Sequence, residues 1–290
     1  MTVAVGFFDG VHLGHQAILR GADRALTFKN HPLSLLAPER APKLMMSLDE
    51  RLAAIRALGV AEVSALDFTP ALASLSPETF LKEHILRCPT FNLQPPTCSP
   101  TSNIQPSTCT LRCGANWRFG KGGVGDAEWL RRQGVAVEVV PYAELDGEKI
   151  SSSRIRAALG RGEIASAEAM LARPIVLRGE RFAGKGEGRA LGFPTVNLRP
   201  DTAIAELLPS GVYAAETPDG VRALANLGTA PTFGERAWKE RTLEVHFPGL
   251  DSAPAQWRDG ALKLVRFIRP ERRFASVAAL RDQLVRDCRF

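Results

Sequence analysis

The sequence contains no long uninterrupted apolar stretch and no basic run interleaved with aromatic residues. Of its 290 residues, 45% are hydrophobic but only 7% are aromatic. A membrane-spanning helix needs about 20 consecutive apolar residues, and a groove for single-stranded nucleic acid combines basic with aromatic side chains. We therefore expect neither a membrane nor a nucleic acid as partner. The formal net charge of +6 is instead compatible with phosphorylated small molecules.

Cysteine is scarce and irregularly spaced. Its odd number argues against a disulfide framework, and the spacing lacks the CxxC pairs of a structural zinc site. The N-terminus has no basic segment leading into an apolar one, so we expect no export signal. These absences predict a protein of the reducing cytoplasm and leave its oligomeric state open. The cysteines are Cys88, Cys98, Cys109, Cys113 and Cys288.

Helices alternate with short apolar strands in the first part of the chain. The apolar spacing predicts helices over 14–24, 48–58 and 76–86, with Gly59 as a stop signal and Ser76 as a cap. Such alternation is typical of a parallel sheet flanked by helices. The predicted strands are residues 3–5, 24–28, 60–66 and 135–140.

The character of the sequence changes near residue 172. Glycine, proline and short β-rich runs replace the helical patterns, which is typical of a small antiparallel barrel. We therefore predict an α/β nucleotidyltransferase-type parallel-sheet domain over 1–172, followed by a small antiparallel β-barrel kinase domain with a C-terminal helix over 173–290. That helix is expected over 276–288. Its apolar face consists of Val277, Leu280, Leu284 and Val285.

A tandem repeat interrupts the first domain. The unit PTFNLQPPTCS at 89–99 is followed by PTSNIQPSTCT at 100–110, and the tripeptide LRC stands on both sides of the pair. Polar residues and proline dominate, and no apolar period is present that a core would bury. We interpret 89–113 as a low-complexity insertion and expect disorder or a protruding loop. Its cysteines recur because the unit recurs, which disfavours a metal site there.

The motif GFFDGVHLGH, which starts at Gly6, carries the first chemical signal. A strand ends there, the chain turns at Asp9 and Gly10, and a helix begins near His12 and His15. Helix starts attract anions through backbone N–H groups, and imidazoles hydrogen-bond phosphate oxygens. The spacing favours a phosphate site over a capped turn with two surface histidines. A zinc site is disfavoured because neither a third ligand nor an HExxH glutamate is nearby.

Two further segments of the first domain are candidates to hold phosphates. ISSSRIR, at 150–156, places three serines before an apparent helix. An ordinary serine cap gives the same pattern, but Arg154 or Arg156 at the same edge of the sheet would reach a triphosphate as a planar fork. GANWRFGKGG, at 114–123, is a basic glycine-rich loop that contains Asn116.

The second domain carries its signal in GKGEGRALGFPTVNL, at 184–198. Its GxGxG pattern occurs in dinucleotide sites, but a β-rich region with a strand after it does not match a βαβ unit. A glycine-rich flap over phosphates, followed by Thr195 and Asn197 as oxygen ligands of Mg²⁺, fits better. Glu244, in the strand-like run LEVHF, is a candidate general base. A single carboxylate on a strand is more often merely solvated.

Together these segments resemble the bifunctional bacterial riboflavin kinase/FAD synthetase family. GFFDGVHLGH and ISSSRIR are similar to its adenylyltransferase half, which is related to the HxGH nucleotidyltransferases. GRALGFPTVNL, SGVYAA, NLGTAPTF and LEVHF are similar to its kinase half, and FIRPERRFASVAALRDQLVRD to its closing strand and helix. The resemblance covers nearly the whole chain, in the family's order.

The resemblance implies that the second domain phosphorylates riboflavin with ATP to give FMN. Glu244 would be the base, and Thr195 and Asn197 would meet Mg²⁺ and the phosphates. The glycine-rich flap would cover the nucleotide. The residues implied to bind it are Gly184, Lys185, Gly186, Gly188, Arg189 and Pro194.

For the first domain, the resemblance implies that FMN attacks the α-phosphate of a second ATP to give FAD and pyrophosphate. His12 and His15 would stabilise the charge on that phosphate, and Arg156 would hold the phosphates. The residues implied to bind nucleotide or flavin are Gly6, Phe7, Asp9, Gly10, His31, Asn116, Ser151, Ser152 and Ser153.

The first domain departs from the family pattern. The stretch between the HxGH helix and the next strand is short, TFKNHP stands where a TFxPHP-like run is usual, and the repeat lies just before GANWRFG. The alternative hypothesis is therefore a riboflavin kinase whose adenylyltransferase domain is impaired. A third class is a non-catalytic protein that binds nucleotides or nucleic acid through its basic charge. It predicts salt-sensitive oligonucleotide binding without flavin turnover.

Overall fold

The computed structural model describes residues 1–86, 109–184, 187–229 and 241–290. These residues divide into two compact units, one made of Met1–Pro42 and Leu48–Ile150, the other of Lys43–Ser47 and Ser151–Phe290. The units thus divide at residue 150, upstream of the change in composition near 172. The boundary between functional domains at 172–173 stays a prediction.

The first unit is built on a parallel sheet. Its described strands are β1 (Thr2–Val5), β2 (Arg24–Phe28), β3 (Glu62–Leu66), β4 (Thr110–Gly114) and β5 (Ala136–Val140). They are ordered β3-β2-β1-β4-β5, and each pairing is parallel. The short apolar runs predicted as strands suit a sheet whose inner strands are covered on both faces. The predicted α/β class is confirmed.

Short helices and turns connect these strands. The helix α5 (Pro77–Phe80) starts with Ser76 as cap and continues as a π-helical stretch over Leu81–Leu86, so the helix predicted over 76–86 ends with wider turns. Within the described ranges, no helix combines the length and the apolar character needed to cross a membrane. The other elements are α1 (Leu13–Leu19), α2 (Pro32–Leu36), α3 (Leu48–Ala57), α4 (Pro70–Ser74), α6 (Ala127–Arg132) and the hairpin strands β6 (Glu144–Leu145) and β7 (Glu148–Lys149).

The strand order reverses between β1 and β4. In open α/β sheets, ligands bind outside the carboxyl ends of the strands at such a switch point. β1 ends at Val5 and its neighbour β4 ends at Gly114. The loops that contain GFFDGVHLGH and GANWRFG therefore start side by side at this edge of the sheet.

The expectation of disorder or a protruding loop over 89–113 is wrong at the C-terminal end of that segment, while its origin as an insertion stays a prediction. Cys109 is buried, and strand β4 pairs with β1 on one side and with β5 on the other. Burial raises the pKa of Cys109 and raises the pKa of Cys113 to about 11. Both cysteines therefore stay protonated and serve packing rather than thiolate chemistry. The remainder, 89–108, lies outside the described residues.

The second unit contains an antiparallel sheet preceded by two helices, α7 (Ser152–Gly160) and α8 (Ile164–Leu171). Its described strands are β8 (Val176–Leu177), β9 (Gly179–Phe182), β10 (Thr195–Pro200), β11 (Gly211–Glu216), β12 (Arg222–Thr229), β13 (Arg241–His246) and β14 (Leu262–Pro270). They are ordered β8-β14-β11-β12-β13-β10-β9 and curl into a nearly closed barrel. Between β9 and β10 lies the short helix α9 (Glu187–Ala190), and α10 (Val277–Asp287) follows β14. The predicted barrel with a C-terminal helix is confirmed.

A buried ion pair attaches α10 to the barrel. Asp287 is only 3% exposed. Its Oδ2 accepts hydrogen bonds from Arg269 Nε at 2.9 Å and Nη2 at 2.6 Å, and its Oδ1 accepts one from Gln283 Nε2 at 2.6 Å. The predicted apolar face is only partly correct, because Val277 and Val285 are 66% and 42% exposed. The spacing of hydrophobic residues gives no sign of the buried ion pair that attaches this helix to the barrel.

We expect Asp287→Ala to lower the free energy of unfolding by about 3–5 kcal/mol, because it leaves the mostly buried Arg269 without its counter-charge. Urea unfolding followed by circular dichroism measures the change. Asp282→Ala, at an exposed position of the same helix, is the matched control and should change stability by less than about 0.5 kcal/mol. Equal effects of the two substitutions would contradict the anchoring role of the pair.

Candidate active sites

The loop after β1 has a strained backbone. Phe8 has φ +59° and Val11 has φ +40°, both in the left-handed region, where a β-branched residue is rare. Gly10 lies between them with φ +81°. A Cβ at Gly6 would come within 2.7 Å of the Phe8 ring. Because Gly6 has no Cβ, the Phe8 ring can pack against its backbone. Strain of this kind persists only where the surroundings enforce it, and it is concentrated at functional sites.

The two histidines of the motif lie against each other. Their ring centroids are 3.6 Å apart and the rings are inclined by 18°. His12 caps helix α1, because its Nδ1 accepts a hydrogen bond from the backbone N–H of His15 at 3.3 Å. The neutral His12 ring therefore carries its proton on Nε2, which can donate to an anion. Gly14 keeps the space clear, since a Cβ there would lie 3.2 Å from the His12 ring.

Arg51 of helix α3 holds this loop from beneath, a role that the sequence did not reveal. Its side chain is 1% exposed and donates to the carbonyl oxygens of Phe7 at 3.1 Å and Phe28 at 2.6 Å. Its guanidinium also lies 4.1 Å from the centre of the Phe7 ring. Burial lowers the pKa of Arg51, and the nearby carboxylate of Asp9 opposes that shift. An arginine in an ordinary amphipathic pattern gives no local sign of such contacts.

His31 and Asn116, both predicted to line the first site, are placed near the ends of β2 and β4. The rings of His31 and Phe7 meet edge to face, with centroids 4.7 Å apart. His31 caps helix α2 by accepting the backbone N–H of Leu33 at 3.1 Å on its Nδ1. Asn116 is exposed, and its Oδ1 lies 3.6 Å from the position that a Cβ on Gly114 would occupy. Phe7 thus contacts both Arg51 and His31 directly.

The ISSSRIR segment forms the start of α7 in the second unit. Ser151 is the cap, and its Oγ accepts the backbone N–H of Arg154 at 3.2 Å. Ser152 and Ser153 occupy the first helical turn, and Arg156 follows one turn later. The capping geometry accounts for Ser151 without any ligand. Phosphate binding by this segment stays a prediction.

Strand pairing in the barrel aligns three polar side chains in one row. Asn197 on β10 lies opposite Glu244 on β13, and Glu244 lies opposite Asn226 on β12. Directly opposed residues of antiparallel strands share a face, with Cβ atoms about 4.5–5.5 Å apart. Glu244 is exposed, and its two neighbours are partly buried. The candidate base and the candidate metal ligand Asn197 are therefore adjacent, and Asn226 is a third member that sequence reasoning missed.

Glycines pack against the two candidate metal ligands. A Cβ on Gly184 would collide with the amide of Asn197, and a Cβ on Gly188 would lie 3.2 Å from the Thr195 hydroxyl. The backbone around these oxygens therefore comes closer than any side chain would allow. Such close backbone approach is the use of glycine expected for a phosphate-covering flap.

The other predicted residues of the flap are Pro194, Arg189, Lys185 and Gly186. The Pro194 carbonyl oxygen lies 3.0 Å from Nδ1 of His246, so the strand start is tied to β13. Arg189 is exposed at the surface of α9. Lys185 and Gly186 fall in a gap between the described ranges. Within those ranges, no group of three or more His, Cys, Asp or Glu side chains is arranged to hold a metal ion.

Comparison with known proteins finds similarity in both halves. The family model for FAD synthetase matches residues 1–92, and that for riboflavin kinase matches residues 171–290. The bifunctional riboflavin kinase/FMN adenylyltransferase of Bacillus subtilis is 29% identical, and that of Escherichia coli K12 is 30% identical. Each match covers 99% of this chain and 90% of the relative.

A solved structure agrees with the fold. It is a crystal structure of a protein described as a macrolide-efflux protein from Streptococcus pneumoniae. The TM-score is 0.78 at 28% sequence identity, over 99% of this chain and 91% of that one. The agreement over nearly both full lengths supports the order of a parallel-sheet half followed by a barrel half.

Proposed function

This chain belongs to the family of bifunctional riboflavin kinase/FMN adenylyltransferases and converts riboflavin to FMN and FMN to FAD, and we propose which residues carry out each step. The barrel performs the phosphorylation, and the parallel-sheet domain performs the adenylylation. This division is supported by the positions of the two family matches. We also propose that the enzyme works in the cytoplasm, with riboflavin, FMN and ATP as partners and without nucleic acid or membrane.

In the barrel, Glu244 acts as the general base. It accepts the proton of the 5′-hydroxyl of riboflavin while that oxygen bonds to the γ-phosphorus of ATP and ADP leaves. A carboxylate contributes about 10²–10⁴-fold in such a role. The observation that carries this assignment is the strand register, which places Glu244 directly beside Asn197.

The two candidate metal ligands of the barrel are chemically suited to Mg²⁺. Thr195 and Asn197 supply a hydroxyl and an amide oxygen, which are ligands that this ion accepts. Gly184 and Gly188 leave room against these two side chains that any Cβ would fill. When bound there with ATP, Mg²⁺ would neutralise charge on the phosphates. The chain's own part is to orient the nucleotide and to keep Glu244 next to it.

In the first domain, the attacking group is the phosphate of FMN, which is already an anion. This step needs positioning and charge neutralisation rather than a base. His12 donates from Nε2 to the α-phosphate of ATP, with His15 stacked against it, and pyrophosphate leaves. Arg51 supports the loop through Phe7. Ser151, Ser152, Ser153 and Arg156 stay predicted phosphate ligands.

A product assay tests the proposal. The protein is incubated with riboflavin, ATP and Mg²⁺, and the flavins are separated by chromatography. We expect FMN to appear first and FAD to follow from it. FMN without FAD would favour the alternative of a kinase with an impaired adenylyltransferase domain, and the absence of both products would overturn the proposal.

A further inference from the structure

A second carboxylate, Glu271, contacts the row of polar side chains formed by Asn197, Glu244 and Asn226. It follows directly after β14, and its Oε1 accepts a hydrogen bond from Asn226 Nδ2 at 3.2 Å. The two residues are 45 positions apart in the chain. Strand order places β14 and β12 on opposite sides of β11, with β13 beyond β12. Glu271 therefore approaches Asn226 from the side opposite to Glu244.

This contact determines the orientation of the Asn226 amide. An ionised carboxylate only accepts hydrogen bonds, so the NH₂ group must face Glu271 and the amide oxygen must face away from it. That oxygen is buried, and it has no hydrogen-bond partner among the described residues. Leaving a buried acceptor unsatisfied is costly and calls for an explanation.

Gly228 makes room for Glu271. It lies two residues after Asn226 on β12, hence on the same face of the strand. A Cβ at this position would collide with Oε1 of Glu271. Two residues of β12 therefore place this carboxylate. Asn226 donates a hydrogen bond to it, and Gly228 leaves room for it because it has no side chain.

We propose that Glu271 is a positioning residue for flavin phosphorylation, which acts by holding the Asn226 oxygen ready for Glu244. In the resting state Glu244 is an anion and cannot donate to that oxygen. During the reaction the substrate O–H bond breaks, the oxygen bonds to the γ-phosphorus, ADP departs and the proton passes to Glu244. The carboxyl group is then a donor, and Asn226 Oδ1, on the side of the amide away from Glu271, accepts its hydrogen bond.

An interaction that forms only as the proton moves changes kcat and leaves substrate binding unaltered. Glu271→Met removes the acceptor for the Asn226 amide, and we expect it to lower kcat for FMN formation about tenfold, the size of one net hydrogen bond. The KM for riboflavin should stay within about twofold of the wild-type value. Glu271→Gln keeps an oxygen that can accept from Asn226 and should retain most of kcat.

Two further variants separate this role from a general loss of structure. Gly228→Ala displaces Glu271 without altering it and should reproduce the fall in kcat. Glu216→Met removes another carboxylate of the same barrel, which pairs with Lys263 at 2.9 Å, and should leave kcat unchanged. The residual activity of Glu244→Gln should not fall further when Glu271→Met is added, because Glu271 acts through Glu244.

The measurement is the initial rate of FMN formation at saturating and limiting riboflavin for each full-length variant. The inference rests on the proposed function, and the series distinguishes the two. If the wild type forms no FMN, or if Glu244→Gln forms FMN at the wild-type rate, both the proposed function and this inference are overturned. If those two controls behave as expected, a wild-type kcat in Glu271→Met would overturn this inference alone. A raised KM with an unchanged kcat in Glu271→Met would also overturn it. The same holds if adding Glu271→Met to Glu244→Gln lowered kcat as much as it does in the wild type.

Discussion

Glu244→Gln is expected to lower FMN formation by at least about 10²-fold, because the glutamine amide cannot take the proton of the flavin hydroxyl. Its shape is nearly unchanged, so the strands on either side should keep their register. FAD formation from supplied FMN should continue at the wild-type rate, since that step depends on residues of the other domain. Both rates are obtained by chromatography of the flavins after incubation with ATP and Mg²⁺.

The control for this substitution is Glu216→Gln, on β11 of the same barrel, which should leave both rates unchanged. Substantial FMN formation by Glu244→Gln would show that another group takes the proton. Loss of both reactions together would argue against two separate sites in this chain.

His12→Asn is expected to lower FAD formation from FMN by about 10²–10³-fold, the usual effect of removing one donor that stabilises developing charge. Asparagine is also a good helix cap, so it can replace the acceptor that His12 Nδ1 provides to the backbone of His15. The substitution therefore removes the Nε2 donor while preserving the start of α1. Riboflavin phosphorylation should be unaffected, and both rates are measured in the same assay.

His12→Ala gives the comparison that separates chemistry from capping. It should show the same fall in FAD formation and an additional loss of about 1 kcal/mol in stability, because alanine cannot cap the helix. If His12→Asn kept full FAD formation while His12→Ala lost it, the imidazole would serve the fold and not the reaction.

Much of the architecture was predictable because burial has a local pattern. The strand at 24–28 is a largely apolar segment, and the structure has it with the same bounds. Strand β4 escaped prediction because its residues continue the tandem repeat, which made TLRCG resemble the end of an insertion. Only its pairing with β1 and β5 reveals it as part of the sheet.

The sites were predictable where chemistry is concentrated in a short motif. GFFDGVHLGH brings His12 and His15 together within one helical turn, and the rings indeed stack. Arg51 and Glu271 could not be found in this way, since each contacts a residue more than 40 positions away. Their roles arise from the way strands and helices are placed next to each other. The same holds for Asp287, whose importance lies in a partner 18 residues away.

Strand β14 connects the ion pair that attaches helix α10 with the site at which riboflavin is phosphorylated. Arg269 holds Asp287, and two residues later Glu271 holds Asn226. Releasing the chain end would therefore free the segment that carries Glu271. On heating, catalysis of riboflavin phosphorylation should fade before the barrel itself melts. Tags or fusion partners for activity measurements are accordingly better joined to the other terminus.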